Sequence, residues 1–207
     1  MSAKSNAAQK MLNSLVQVVN NMVNLHDPTA AGHQTDVAFL ARAIAEEMRN
    51  EQDVVDCVFL AGQIHDIGKI AIPSEILSRP GKLDDVQQMV VMCHPEVGYD
   101  ILKPIDFPWP VANAVLQHHE RLDGSGYPHG LTGDEISLES KILAVADVVQ
   151  AMLTSRSYHP PLGIDDVVRE LEEHKGILYD AAVVDCYKRI TSQGDGVMQY
   201  VKSRPHS

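Results

Sequence analysis

Apolar residues recur at steps of three and four along most of this chain, the spacing that places them on one face of an α-helix. The pattern first runs from Met11 to Leu25, and it closes the chain in two amphipathic segments, 165–174 and 181–190. No two alternating segments joined by a hairpin turn stand out as strands. The sequence therefore predicts an all-α fold.

The middle of the chain predicts further helices, separated by glycine and proline. They cover residues 37–48, 54–66, 84–94, 108–119 and 142–152. Two prolines and a glycine within 73–81 predict a connecting loop with one short turn at 74–77. Residues 123–133 are rich in glycine and predict either an ordered loop or a mobile flap. The strongly apolar segment 142–152 predicts a buried helix.

Length, charge and cysteine content narrow the class of protein. A chain of 207 residues suits one compact domain, alone or with a helical extension. The formal net charge of −11 argues against a nucleic-acid polymer as partner, because such binding needs a basic face. Three scattered cysteines, no signal-peptide pattern and no long apolar run predict a reduced, cytoplasmic protein without a membrane segment.

Seven imidazole or carboxylate side chains recur with spacings that suit metal binding. They are His33, His65, Asp66, His94, His118, His119 and Asp147. Nitrogen and oxygen donors without thiolates suit Fe, Mn, Zn or Co, and they argue against a structural zinc finger. Seven donors are about as many as a pair of bridged divalent ions needs. Such a pair activates water for attack on phosphorus esters.

The adjacent pair His65 and Asp66 has the most informative surroundings. Neighbouring side chains on a helix point about 100° apart, so the pair can reach two ions or two sides of one. Lys69 shares the face of His65 and can bind a phosphate oxygen. A His-Asp dipeptide alone fits a buried histidine and a capping aspartate equally well. The pair at 26–27 lacks the following glycine and lysine, and we interpret it as a helix end without a metal role.

His118 and His119 end an apolar segment and precede a glycine-rich string, residues 120–128. Two adjacent histidines in such a place are unfavourable in a core unless they are paired or bound to a metal. The glycines allow the backbone to approach a ligand closely, and Tyr127 can stack on a base or hydrogen-bond a phosphate. A plain surface loop beside a helix is the alternative, and it fits the whole string poorly.

The other three candidates have less local context. Asp147 lies in the apolar segment 142–149, where a buried carboxylate needs a cation or several donors. A metal is its simplest partner, and a buried salt bridge is the alternative. His33 and His94 each fit an ordinary helix start as well, so they gain weight only from the rest of the set.

Together, these motifs resemble the HD-GYP family of cyclic-dinucleotide phosphodiesterases over about residues 27–187. The markers are DP at 27–28, GHQ at 32–34, HDIGK at 65–69, His94, the string 118–128 that ends in GYP, AD at 146–147 and SRSY at 155–158. The resemblance implies an all-α HD-domain helical bundle with extra C-terminal helices. It also implies a dinuclear centre that favours iron or manganese, and hydrolysis of cyclic di-GMP to linear pGpG and often onward to GMP.

Residue roles are carried over from the same resemblance. All seven candidates would be metal ligands, with Asp66 bridging the two ions, and Asp66 and Lys69 would be catalytic. Substrate contacts would come from Lys69, Arg156, Tyr127, Gly126 and Asp123. Thr29 stands where some members have a glutamate that binds a third metal, so two ions are expected. His159 replaces a lysine or arginine, which weakens a phosphate contact at neutral pH.

We divide the chain into an N-terminal helix (1–25), an HD-GYP domain (26–195) and a flexible tail (196–207). The N-terminal helix either packs on the domain or forms the stub of a signalling coil that pairs two copies into a homodimer. Two other functions stay open at this point. One is hydrolysis of another cyclic dinucleotide such as 3′,3′-cyclic GMP-AMP. The other is a low-turnover module that senses a cyclic dinucleotide or docks a GGDEF-type cyclase, which the complete ligand set disfavours.

Overall fold

Helices supply the regular structure of the chain. The computed structural model describes residues 3–27, 32–79, 81–154 and 162–192, and within them it contains no β-strand. The α-helices are α1 (Ala3–His26), α2 (His33–Glu47), α3 (Gln52–Ile64), α4 (Ser74–Leu77), α5 (Asp85–Met92), α6 (His94–Leu102), α7 (Val111–Gln117), α8 (Leu138–Leu153), α9 (Ile164–Glu173) and α10 (Ala181–Ser192). Two short 3-10 helices, Ile67–Ala71 and Gly133–Glu135, lie between them. The all-α prediction is confirmed.

The core lies where α2, α3 and α8 pack against one another. Leu40, Ile44 and Val58 are fully buried there, as are Ile142 and Leu143 of α8. Burial of each such side chain contributes about 1.5–3 kcal/mol relative to leaving it in water. The apolar segment predicted to be a buried helix is therefore the central element of the bundle.

Helix α1 divides its apolar residues between two faces. Val16 and Val23 are buried, and the helix contacts α3 and the 3-10 helix Ile67–Ala71. On the opposite face, a row of apolar side chains is more than half exposed. These are Met11, Leu15, Val18, Met22 and Leu25. The first of the two alternatives for this segment, packing on the domain, is what the structure contains, while the exposed row leaves a second surface available.

Several predicted helix ends agree with the structure. Asp84 and Gln87 form a reciprocal capping box at the start of α5. The Asp180 carboxylate accepts hydrogen bonds from the amides of Ala182 and Val183 at the start of α10. Other boundaries differ, because α3 ends at Ile64 and α7 spans only Val111–Gln117, so the pairs at 65–66 and 118–119 stand just after a helix terminus.

The two C-terminal helices complete the bundle. Helix α9 packs on α8 and α10, and α10 also packs on α2 and α8. Val167 and Leu171 of α9 and Tyr187 of α10 are fully buried at these contacts. None of the helices in the described ranges combines the length and apolar character needed to cross a bilayer.

Candidate metal centre

Five helices bring the seven candidate ligands to one site. Helices α2 and α6 begin at His33 and His94, and α3 and α7 end immediately before 65–66 and 118–119. Only Asp147 lies inside a helix, two-thirds of the way along α8. A helix fixes the direction of a side chain at its terminus, and no further helical turn covers that side chain on the side of the loop. The site is therefore a meeting point of helix ends.

The side chains form two adjoining clusters, each with three donor atoms that lie within 4.8 Å of one another. One consists of His94, His118 and His119, and the other of His33, His65 and Asp66. Asp147 contacts both clusters, since its Oδ1 is 3.0 Å from Nε2 of His33 and its Oδ2 is 3.9 Å from Nδ1 of His119. Asp66 connects them too, with Oδ1 3.5 Å from Nε2 of His94.

Backbone carbonyls orient three of the imidazole rings. The Nδ1 atoms of His65, His94 and His118 lie 2.9, 2.8 and 2.5 Å from the carbonyl oxygen three residues earlier in the chain. A carbonyl oxygen can only accept, so each Nδ1 carries the proton and donates it. Each Nε2 is therefore a free lone pair that points into the site, the arrangement found in metal-binding histidines.

These lone pairs face one another without protons between them. Nε2 of His94 lies 3.3 Å from Nε2 of His118. Nε2 of His65 is buried and has no hydrogen-bond partner among the described residues. A buried acceptor without a partner is unfavourable. A cation in each cluster would satisfy these nitrogens, and on this observation the residues fit a metal centre.

The electrostatics of the site favour the neutral forms of His94, His118 and His119 and the ionised forms of Asp66 and Asp147. Burial lowers the pKa of His94 and His119, and it lowers the pKa of His118 to about 3. Burial opposes ionisation of Asp66, but Lys69 and the surrounding histidines hold its pKa well below the usual range. Burial also opposes ionisation of Asp147, whose pKa is nevertheless held low, chiefly by the hydrogen bond from His33. Neutral imidazole and ionised carboxylate are the forms that bind divalent transition metals.

Lys69 reaches the edge of this site with its ammonium group. Its Nζ lies 2.8 Å from Oδ2 of Asp66 and 3.7 Å from Oδ2 of Asp27. Burial works against its charge, but these two carboxylates together raise the pKa of Lys69. The ammonium group of Lys69 therefore lies beside Asp66, the carboxylate that connects the two clusters.

Asp27 is a residue that the sequence alone did not assign to the site. It is only 4% exposed, and its carboxylate lies beside Lys69. Next to it, Nε2 of His26 donates to the carbonyl oxygen of Ile72 at 2.6 Å. Both contacts arise because α1 packs on the segment 67–72, and no spacing in the sequence reports that packing.

The predicted substrate contacts are distributed unevenly. Tyr127 lies at the histidines, with its ring centroid 4.7 Å from that of His119, and Gly126 lies against the backbone of 119–121. Asp123 is exposed and accepts hydrogen bonds from the amide and hydroxyl of Ser125. Arg156, Thr29 and His159 lie outside the described residues, as does the tail 196–207.

The fold and this site together define a class of protein: helical domains with a buried centre of histidine and aspartate that is suited to divalent ions. The profile of the HD domain family matches residues 17–183, which is most of the chain. The chain belongs to this family.

Curated proteins and solved structures show similarity of the same kind. The chain is 38% identical over 159 residues to the cyclic di-GMP phosphodiesterase response regulator RpfG of Xanthomonas campestris pv. campestris, covering 76% of this chain and 42% of that protein. It is 35% identical over 155 residues to 3′3′-cGAMP-specific phosphodiesterase 1 of Vibrio cholerae, covering 75% of this chain and 36% of that protein. The chain therefore spans about two-fifths of these relatives.

Among solved structures, the cyclic GMP-AMP specific phosphodiesterase V-cGAP3 of V. cholerae superposes with a TM-score of 0.63. The superposition covers 89% of this chain and 51% of that one, at 15% sequence identity. At this identity the similarity concerns the fold, and it agrees with the helical bundle described above.

Proposed function

We propose that this chain is the catalytic domain of a cyclic-dinucleotide phosphodiesterase of the HD-GYP type. The observation that carries the proposal is the pair of three-donor clusters, which share the carboxylates of Asp66 and Asp147, with the ammonium of Lys69 alongside. This arrangement supports two divalent ions, with iron or manganese the favoured metals. Asp66 would bridge them, because its two oxygens lie near ring nitrogens of both clusters.

When bound, two such ions would lower the pKa of a water and polarise a non-bridging phosphoryl oxygen, so that the water's oxygen attacks phosphorus and the ester oxygen departs. The protein's own contribution is charge and position. Lys69 would neutralise charge that develops on the non-bridging phosphate oxygens, an electrostatic effect that is strong in a buried site. Arg156 would hold the second phosphate of the ring, and Tyr127, Gly126 and Asp123 would form the side of the site nearest the bases.

The proposed reaction is hydrolysis of cyclic di-GMP to pGpG, with GMP as a further product. Similarity to RpfG supports this substrate. Similarity to 3′3′-cGAMP-specific phosphodiesterase 1 favours a second candidate, 3′,3′-cyclic GMP-AMP, with the same chemistry on a different base. A cytoplasmic location agrees with the cysteines, which are all unpaired, and it stays a prediction.

Helix α1 supports the predicted homodimer. Its exposed apolar residues follow one another at steps of four, three, four and three, the spacing of a coiled-coil seam. Val18 lies at the middle of this row, so Val18→Asp should shift a dimer to a monomer in light scattering at fixed concentration. An unchanged mass would contradict pairing through α1. Docking of a GGDEF domain stays a prediction without a structural observation behind it.

The function is tested by metal analysis together with a hydrolysis assay. Protein purified without chelators should contain close to two transition-metal ions per chain, and Fe(II)- or Mn(II)-loaded protein should release linear product from cyclic di-GMP. The double variant His65→Ala/Asp66→Ala should lose both properties. The matched control is His174→Ala/Asp165→Ala, which makes the same two changes at the two ends of α9, in residues that belong to neither cluster.

Two outcomes would contradict the proposal. One is wild-type turnover by the His65→Ala/Asp66→Ala protein after metal reconstitution. The other is tight dinucleotide binding without any product in fully loaded wild-type protein, which would instead identify a binding module. Running cyclic di-GMP and 3′,3′-cyclic GMP-AMP in parallel, with chromatographic separation of the products, decides between the two substrates.

A further inference from the structure

His119 differs from the other histidines at the end of helices in how its ring is held. His65, His94 and His118 each donate Nδ1–H to a backbone carbonyl. No hydrogen bond to the ring of His119 occurs among the described residues, and the nearest carboxylate oxygen, Oδ2 of Asp147, is 3.9 Å from Nδ1. Ring contacts hold it instead, from His118 (centroids 4.0 Å apart, planes 42° apart), His94 (5.0 Å, 84°) and Tyr127.

Tyr127 is the residue whose ring stacks face to face on that of His119. The two centroids are 4.7 Å apart and the planes 25° apart, and the edge of the Tyr127 ring approaches the ring of His94 at 6.4 Å. The amide of Tyr127 also donates to the carbonyl oxygen of His119 at 3.2 Å. One residue thus holds both the backbone and the ring of His119.

The loop that carries Tyr127 is itself anchored to the same short segment. A methyl group on Gly126 would lie 2.5 Å from the carbonyl oxygen of His119 and from Cα of Glu120, so only glycine fits. The buried carboxylate of Glu120 accepts hydrogen bonds from the amides of His129 (2.8 Å) and Leu131 (3.0 Å) on the far side of the loop. The loop is closed back onto the histidine pair from both sides.

We propose that Tyr127 is a positioning residue, which sets the ring plane of His119 by stacking and thereby completes the cluster of His94, His118 and His119. The inference rests on the proposed metal centre. It requires the aromatic face of Tyr127 and makes no use of the phenol hydroxyl. The Gly-Tyr-Pro loop then acts on metal binding, a role distinct from the substrate contact predicted from the sequence.

The test is metal affinity, measured without substrate. Mn(II) affinity is obtained by competition with a chelating dye, and the visible spectrum of Co(II)-loaded protein reports the ligand geometry. Tyr127→Leu should weaken one of the two sites, the one formed by His94, His118 and His119, by about 10–100-fold, the usual loss when a group that orients a ligand is removed. Tyr127→Phe should retain the wild-type affinity and Co(II) spectrum. Tyr99→Leu makes the same change on α6, outside both clusters, and should also bind metal as the wild type does.

Every result decides the proposal. If Tyr127→Leu binds both metals normally and only raises KM for the dinucleotide, Tyr127 is a substrate contact and the proposal is wrong. If Tyr127→Phe loses affinity as Tyr127→Leu does, the hydroxyl acts and the stacking argument fails. If Tyr127→Leu does not fold, Glu120→Gln decides, since loosening the loop should also weaken one metal site, and unchanged affinity would refute the idea. If metal-loaded wild-type protein did not hydrolyse a cyclic dinucleotide, the proposed function would be contradicted. The metal-affinity measurement would still test the role of Tyr127.

Discussion

Gly68 offers a sharp test of how the fold positions the site. It stands between Asp66 and Lys69, where the 3-10 helix Ile67–Ala71 crosses the start of α6. A methyl group on Gly68 would lie 2.6 Å from the amide nitrogen of Gly98 and 2.9 Å from the carbonyl carbon of His94, and closer still to the His94 oxygen. All of these atoms belong to the backbone, so a side-chain rotation cannot relieve the overlap.

The Gly68→Ala substitution must therefore separate two backbones that both carry candidate ligands. Ordinary contact begins at 3.4 Å, so relief at the Gly98 nitrogen alone requires a shift of about 0.8 Å. Overpacking of this kind costs about 1–3 kcal/mol. For a chain of this length, that lowers the midpoint of thermal unfolding by about 2–12 °C. The shift also exceeds the roughly 0.5 Å within which a binding site must be held.

Calorimetry measures the unfolding midpoint, and dye competition measures Mn(II) affinity, which we expect to fall about 10–100-fold because Asp66 moves away from His94. Gly163→Ala is the control, since a methyl group there meets only the Asp166 carboxylate, at 3.5 Å. The reasoning is refuted if Gly68→Ala matches Gly163→Ala in both unfolding midpoint and metal affinity.

Three other predictions concern charge and metal at the site. Lys69→Met should reduce kcat about 100–1,000-fold at unchanged metal content, with Lys103→Met on the surface as control; retained kcat would exclude the proposed role. Asp27→Asn should reduce kcat about tenfold, since Lys69 loses one of its two carboxylate partners, and unchanged kinetics would make that contact incidental. Chelation should lower the unfolding midpoint by about 5–10 °C, reversibly on metal addition, because metal at about 100 times its Kd adds about 2.7 kcal/mol. An unchanged midpoint would argue against a preformed site.

The two ligand pairs could be predicted because each carries its signal in its own neighbours, whereas His33 and His94 were inferred only from the rest of the set. The histidine pair at 118–119 precedes a glycine-rich string, and His65 and Asp66 precede a glycine and a lysine at fixed offsets. The helices could be predicted for the same reason, since an apolar spacing is local. The division of α1 between a buried and an exposed face stayed open, because the spacing does not say which neighbour covers which side.

Residues whose contacts lie in distant parts of the chain could not be assigned to the site from the sequence. Asp27 meets Lys69 only because α1 packs on the 3-10 helix, 42 positions further on, and the pair at 26–27 looked like a plain helix end. Glu120 closes the loop through backbone amides of His129 and Leu131, groups that every sequence possesses. Glu120 stands between an apolar helix and a glycine-rich loop, and an acidic residue in that position could have suggested its role in closing the loop. The need for glycine at 68 depends on the crossing with α6, which no local pattern reports.

The charges of the site show what an acidic protein would need in order to bind the proposed anionic substrate. Without metal, the carboxylates of Asp27, Asp66 and Asp147 outnumber the ammonium of Lys69, and burial lowers the pKa of His94, His118 and His119. Three negative charges and one positive leave a formal charge of −2, in a chain whose net charge is −11. A cyclic dinucleotide with two phosphates would be repelled from such a pocket. Two divalent ions would reverse the local charge to +2, so the proposed function predicts that metal binding is required for substrate binding as well as for hydrolysis.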